Sequence, residues 1–180
     1  MVTAKSWALD LGASVLEEGV LFRIWAPKAS LVSLVIIGDK KPYPMNAEGR
    51  GYFSTFIQGL ELGRRYCYLL NEDRPRPDPV SRFQPEGVHG PSEVVDPNLF
   101  KWEDQDWNGI PLEEMIIYEI HTGTFTPEGT FEAIIPFLDY LKNELGVTTI
   151  ELMPVAQFPG KRNWGYDGTY LYAPQNSYGG

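Results

Sequence analysis

The stretch Met115–Pro154, MIIYEIHTGTFTPEGTFEAIIPFLDYLKNELGVTTIELMP, decides the fold. Met115–His121, MIIYEIH, is rich in β-formers and reads as a strand. Thr124–Gly129 reads as a loop. From Thr130, an N-cap residue, Phe131, Ile134, Ile135, Leu138, Leu141 and Leu145 recur at helical spacing up to Gly146, a good helix terminator. Pro136 inside that run must kink or shorten the helix, because its ring clashes with the preceding turn. Val147–Pro154 is a second strand. Strand, helix, strand in so few residues is a βαβ unit, whose crossover makes the two strands parallel neighbours. One such unit has no closed sheet to join and leaves its second strand with an open edge. The chain therefore reads as stopping partway through a larger fold.

Upstream the rhythm is different. Val20–Trp25, Leu31–Ile37, Tyr52–Ile57 and Arg65–Leu70 alternate with period two. Turn signals fall between them at Ala26-Pro27, Gly38-Asp39, Gly49 with Gly51, and Gly59 with Gly63. In the second run Val32, Leu34 and Ile36 share one face and Leu31, Ser33, Val35 and Ile37 the other. This spacing predicts a β-sandwich, Ig-like only in architecture, since Cys67 has no partner for a disulfide. Six prolines between Arg74 and Asn98 exclude a helix or a central strand there. The same region carries Phe83, Val88, Val94, Val95, Phe100, Trp102 and Trp107, which predicts an irregular segment packed on its neighbours. The expected division is a sandwich over 1–72, a connector over 73–114 and the start of a second domain over 115–180.

Composition narrows the function. The chain has 180 residues, 43% of them hydrophobic, a net charge of −9 and one cysteine. An excess of acid argues against a nucleic-acid partner, which needs clustered Lys and Arg. No apolar run reaches the ~20 residues of a membrane-spanning helix. The start, MVTAKSWALDLGA, lacks the apolar core of a secretory leader. The expectation is a cytoplasmic protein. No HExxH, EF-hand, Walker or GxGxxG pattern is present, and no metal site is predicted.

The densest chemical cluster is Arg162-Asn163-Trp164-Gly165-Tyr166-Asp167-Gly168. It lies beyond the C-terminal end of the second parallel strand, the edge where α/β sheets bind ligands. Trp and Tyr offer flat apolar faces with polar tips, which suit a sugar ring. Asp167 can accept hydrogen bonds from hydroxyls, and Asn163 can donate and accept. A loop whose aromatics merely pack on the scaffold fits the same residues. Glu119 and His121 share one face of the first strand, and Glu151 alternates with apolar neighbours on the second. These are acid–base candidates or satisfied structural groups.

The motif FRIWAPKASLVSLVI (Phe22–Ile36) resembles the N-terminal sandwich of α-amylase-type enzymes acting on α-glucans, including branching and debranching enzymes. GVHGPSEVVDP (Gly87–Pro97), YEIHTGTFTPEGTF (Tyr118–Phe131), IELMPVAQFPGKRNWGYDG (Ile150–Gly168) and YAPQNSYGG (Tyr172–Gly180) resemble more specifically the malto-oligosyltrehalose trehalohydrolase family of α-amylase-type glycoside hydrolases. The resemblance covers nearly the whole chain. It implies an N-terminal Ig-like β-sandwich followed by the first βαβ unit of an incomplete (β/α)8 barrel. It also implies hydrolysis of the α-1,4 bond that releases trehalose from maltooligosyltrehalose, by a retaining mechanism with two carboxyl groups and no cofactor. The family's catalytic carboxylates follow later barrel strands, so none maps onto this chain: they are expected beyond Gly180, and the chain alone is expected to be inactive. Carried over are substrate-binding roles for Tyr166, stacking on a glucose ring, and Asp167, supporting that subsite, with Trp164 and Asn163 bracing the loop. Two alternatives stand beside this reading. One is a fragment of a related branching or debranching enzyme. The other is a non-catalytic α-glucan-binding module using Trp7, Trp25 or Tyr52, against which Trp25 reads as a core residue.

Overall fold

The computed structural model describes residues 10–179, which divide into two compact units. Trp7 and most of the start read above, MVTAKSWALDLGA, lie outside the described residues.

The first unit, up to Pro85 with His89–Asp96, is a β-sandwich. One sheet contains β1 (Gly12–Leu16), β2 (Gly19–Trp25), β5 (Asn46–Gly49) and β6 (Tyr52–Gln58) in the order β1-β2-β6-β5. The other contains β3 (Val32–Ile36), β4 (Tyr43–Pro44), β7 (Arg65–Leu70) and β8 (Pro75–Arg76) in the order β4-β3-β7-β8, with β9 (Ser92–Glu93) also pairing β7. All pairings are antiparallel. The period-two alternation explains the core. Val20, Phe22 and Ile24 from β2 and Phe53 from β6 meet Val32, Leu34 and Ile36 from β3 and Tyr66 and Tyr68 from β7. The Phe22 ring packs edge-on against Tyr66 at 4.8 Å. The faces assigned to the β3 run hold: Leu31 and Ile37 point to solvent.

Trp25 corrects its sequence reading. It is 55% exposed, because on β2 it shares the outer face with Arg23 while Ile24 turns inward. Its indole N–H donates to the Arg50 carbonyl at 3.2 Å, and its cross-strand partner is Tyr52.

The Pro-rich region contributes only two-residue edge strands to this unit, as missing backbone donors require. It also supplies a buried polar network. Asp78 is fully buried and accepts hydrogen bonds from Tyr66 Oη at 2.7 Å and from the Val80 amide at 2.9 Å. Its own amide donates to Ser92 Oγ, which in turn donates to Gln84 Oε1.

The second unit comprises Glu86–Val88 and Pro97–Gly180. Strands β10 (Ile117–Ile120) and β11 (Thr149–Leu152) are parallel, with Glu119 opposite Glu151. Between them come α1 (Thr122–Phe125), α2 (Phe131–Ile134) and α3 (Leu138–Asn143). Thr130 caps α2, its hydroxyl accepting the Ala133 amide at 3.3 Å. At Pro136 the expected single helix breaks into a 3-10 turn, Ile135–Phe137, because proline has no amide to continue the ladder. The loop expected at Thr124–Gly129 begins instead inside α1.

Ile134 and Leu141 bury against Ile120 and Val147, whereas Ile135, Leu138 and Leu145 stay exposed. Two strands ~5 Å apart are too narrow to cover a whole apolar stripe. Phe100, Trp102 and Trp107 are also exposed, contrary to the packing expected of them. Val94 and Val88 do enter cores, of the first and second unit respectively. Strands β12 (Ala156–Gln157) and β13 (Tyr170–Pro174) form an antiparallel pair that closes the base of the long loop. No helix among the described residues is long and apolar enough to cross a membrane.

Candidate functional site

Beyond the C-terminal ends of β10 and β11 the second unit carries a cleft of about 900 Å³. Its lining includes His121, Thr124, Met153, Asn163, Trp164, Tyr166 and Asp167. The loop runs between β12 and β13, and a pair of buried amides anchors its base. Gln157 Nε2 donates to Gln175 Oε1 at 2.8 Å, and Gln175 Nε2 donates to the Gly160 carbonyl at 3.0 Å. Both side chains are fully buried and hydrogen-bonded, which makes this anchor specific in geometry.

Asn163 organises the tip. Its Oδ1 accepts the Gly165 amide at 2.8 Å, an Asx-type turn, and its Nδ2 donates to Asp167 Oδ2 at 2.7 Å. Gly165 itself admits no side chain. Its φ is +98°, and a Cβ there would lie 1.9 Å from the Pro154 carbonyl oxygen. The loop backbone can therefore lie directly on the end of the strand segment only because residue 165 is glycine.

Of the predicted site residues, Trp164 and Tyr166 project their rings outward, 76% and 68% exposed, and both line the cleft. Asp167 is exposed beside them. One of its oxygens is engaged by Asn163, and a carboxylate retains further acceptor positions. Two aromatic faces next to a hydrogen-bond acceptor form a surface able to hold a ring with polar edges. Lys161 and Arg162 add positive charge to the same lining.

The strand candidates separate. Glu119 and Glu151 sit side by side in register, exposed, and are not part of the cleft lining. His121 is part of it, and it is tied to the loop: its Nε2 lies 2.6 Å from the Asn163 carbonyl oxygen. Thr124 and Tyr178 complete this corner, Thr124 Oγ1 at 3.0 Å from His121 Nδ1 and the Tyr178 ring edge-on to the imidazole. Burial pushes the Tyr178 hydroxyl above the usual phenol range. Thr124 and Tyr178 carry no local signal as site residues, since their roles come from contacts across the loop. Among the described residues no group of His, Cys, Asp and Glu could hold a metal ion.

Residues 10–97 match the family Carbohydrate-binding module 48 (Isoamylase N-terminal domain). The chain is 51% identical over 172 residues to malto-oligosyltrehalose trehalohydrolase of Saccharolobus solfataricus, an alignment covering 96% of this chain and 30% of that protein. It is 47% identical over 171 residues to the Deinococcus radiodurans protein of the same name, covering 94% of this chain and 28% of the relative. A crystal structure from Salmonella typhimurium, provisionally described as an alpha amylase, superposes with a TM-score of 0.88 at 47% identity, covering 96% of this chain and 29% of that one. The chain thus spans about 30% of the length of the curated relatives it matches. The sandwich matches a carbohydrate-binding module and the alignment continues through the second unit, so along nearly its whole length the chain is similar to the N-terminal part of the malto-oligosyltrehalose trehalohydrolases.

Proposed function

We propose that residues 115–180 begin a (β/α)8 barrel and that the 162–168 loop lines an α-glucan subsite of a trehalose-releasing glycoside hydrolase; the sandwich expected over 1–72 extends into the expected 73–114 connector, because β8 and β9 pair with β7. The observation that carries the reading is the pair of exposed rings, Trp164 and Tyr166, beside Asp167 in a cleft at the strands' C-terminal end. Tyr166 stacks on a glucose ring, Asp167 accepts from its hydroxyls, and Asn163 holds both the turn and the carboxylate in place. A cytoplasmic location and a neutral glucan rather than a nucleic acid as partner belong to the same reading, in keeping with the net charge of −9.

Retaining hydrolysis needs two carboxyl groups ~5 Å apart across the scissile bond. Asp167 is the one carboxylate among the described residues that line the cleft, and it is already bound to Asn163. The 180-residue chain therefore binds glucan without cleaving it. Calorimetric titration with maltoheptaose tests the binding: Tyr166→Ala should weaken it by about tenfold or more, ~1.4 kcal/mol. Incubation with maltotriosyltrehalose should release no trehalose. Unchanged affinity in the variant, or turnover by the chain, would overturn the reading.

A second reading has its own observation. Trp25 is exposed on the sandwich face beside Tyr52, within the region that matches a carbohydrate-binding module. If glucan binds there instead, Trp25→Ala abolishes the titration and Tyr166→Ala leaves it intact.

A further inference from the structure

We propose that His121 is the positioning residue of the cleft, clamping the 163–167 loop to the end of β10 through the Asn163 carbonyl. The inference deepens the glucan-site reading, but its primary test needs no sugar.

The ring's protonation pattern follows from its partners. A carbonyl oxygen can only accept, so the 2.6 Å contact from Nε2 to Asn163 requires a proton on Nε2. In the neutral ring Nδ1 is then an acceptor, and Thr124 Oγ1 stands 3.0 Å away with a hydroxyl proton to give. Both nitrogens are thus occupied, which fits a clamp better than an acid or base that must exchange its proton with a ligand. Tyr178 meets the ring at the same nitrogen as Asn163, its hydroxyl 3.4 Å from Nε2 and the ring centroids 6.1 Å apart at 84°. Glycine at 123 lets this corner pack closely, since a Cβ there would come within 2.8 Å of the Tyr178 ring and 3.2 Å of the His121 ring.

What is clamped matters more than the clamp. Asn163 is held by its main chain and at the same time uses both side-chain atoms on Gly165 and Asp167. Fixing its carbonyl therefore fixes the turn that presents Tyr166 and the orientation of the Asp167 carboxylate. Without the imidazole, Asn163 could still hold the loop to itself, but the loop would lose its tie to the strand. The arrangement joins residues 42 apart in the chain.

The experiment is hydrogen exchange of the Gly165 amide by NMR in the full 180-residue chain, without sugar. His121→Phe removes the ring's polar contacts with Thr124, Asn163 and Tyr178, and His121→Asn reproduces only the Nδ1 side. His121→Gln can place an N–H donor near the position of Nε2. We expect Gly165 to exchange about tenfold faster in the Phe and Asn variants and within about threefold of the parent in the Gln variant, the scale of one hydrogen bond. Sandwich amides should be unchanged. If the Phe variant also loosens β10, the Gln–Asn contrast decides. Parent-like exchange in both the Phe and Asn variants, or a Gln variant as fast as Asn, overturns the proposal. Maltoheptaose affinity should follow the same order. If the parent chain binds no maltoheptaose, the glucan reading fails while the exchange result still judges the clamp.

Discussion

Replacing Gly165 with alanine adds one methyl group at the point where the loop lies on the strand end, and the structure predicts what that does. Two penalties combine. At φ +98° an L residue is strained, by roughly 1–2 kcal/mol for a left-handed backbone. In addition, the new Cβ would start 1.9 Å from the Pro154 carbonyl oxygen and must open to at least 3.0 Å. The obstacle is backbone, so no rotamer change relieves it. A movement of that size carries the Gly165 amide off Asn163 Oδ1, now 2.8 Å away, at a further ~0.5–1.5 kcal/mol. The sum, ~1.5–3.5 kcal/mol, is enough to release the loop. Gly160 in the same loop supplies the control. Its φ is +83°, and a Cβ there meets nothing within 4 Å, so Gly160→Ala carries the backbone strain alone. Urea unfolding followed by the tyrosine and tryptophan signals, with amide spectra of residues 160–170, compares the two variants. Gly165→Ala should lose glucan binding and shift the amide resonances of residues 163–167, whereas Gly160→Ala should keep binding and confine its shifts to residues next to position 160. Equal behaviour of the two variants would refute the close-approach argument.

Two more predictions concern the sandwich. Phe22 is fully buried and edge-on to Tyr66, so Phe22→Ala should destabilise the first unit by ~3–5 kcal/mol in urea unfolding; less than ~1.5 kcal/mol would mean the core collapses into the gap. Burial raises the Asp78 carboxyl above its ordinary 3.8, against the opposing hydrogen bonds of Tyr66 and Val80 and the charge of Arg82. A raised folded pKa stabilises the fold at low pH, and that contribution is lost as pH rises through the folded value. Asp78→Asn cannot ionise, so its stability relative to the parent should climb from pH 3.8 upward and then level off; a flat difference from pH 4 to pH 8 would show that the carboxyl is not shifted.

Each feature's legibility in the sequence follows from the range of the interactions that make it. β2 and β3 are readable because each buries one face, and burial of one face writes a period of two into neighbouring residues, whereas β7 buries Tyr66, Cys67 and Tyr68 in a row and is legible from its aromatic and other β-forming residues. β5, Asn46-Ala47-Glu48-Gly49, is exposed throughout and had no such pattern to offer. The same alternation misplaced Trp25, since it shows that two faces differ but not which face a residue at the strand's end takes. The 162–168 cluster was visible as a site because its aromatic, amide and carboxylate groups are contiguous in the chain. Pro136 announced the break in the helix, a covalent constraint that no packing can remove. Tertiary structure alone decided that the loop rests on Pro154, that Gln157 and Gln175 lock its base, and that His121 reaches Asn163. Those contacts join residues far apart in the chain, so they leave no period in it and exist only once the strands have brought them together.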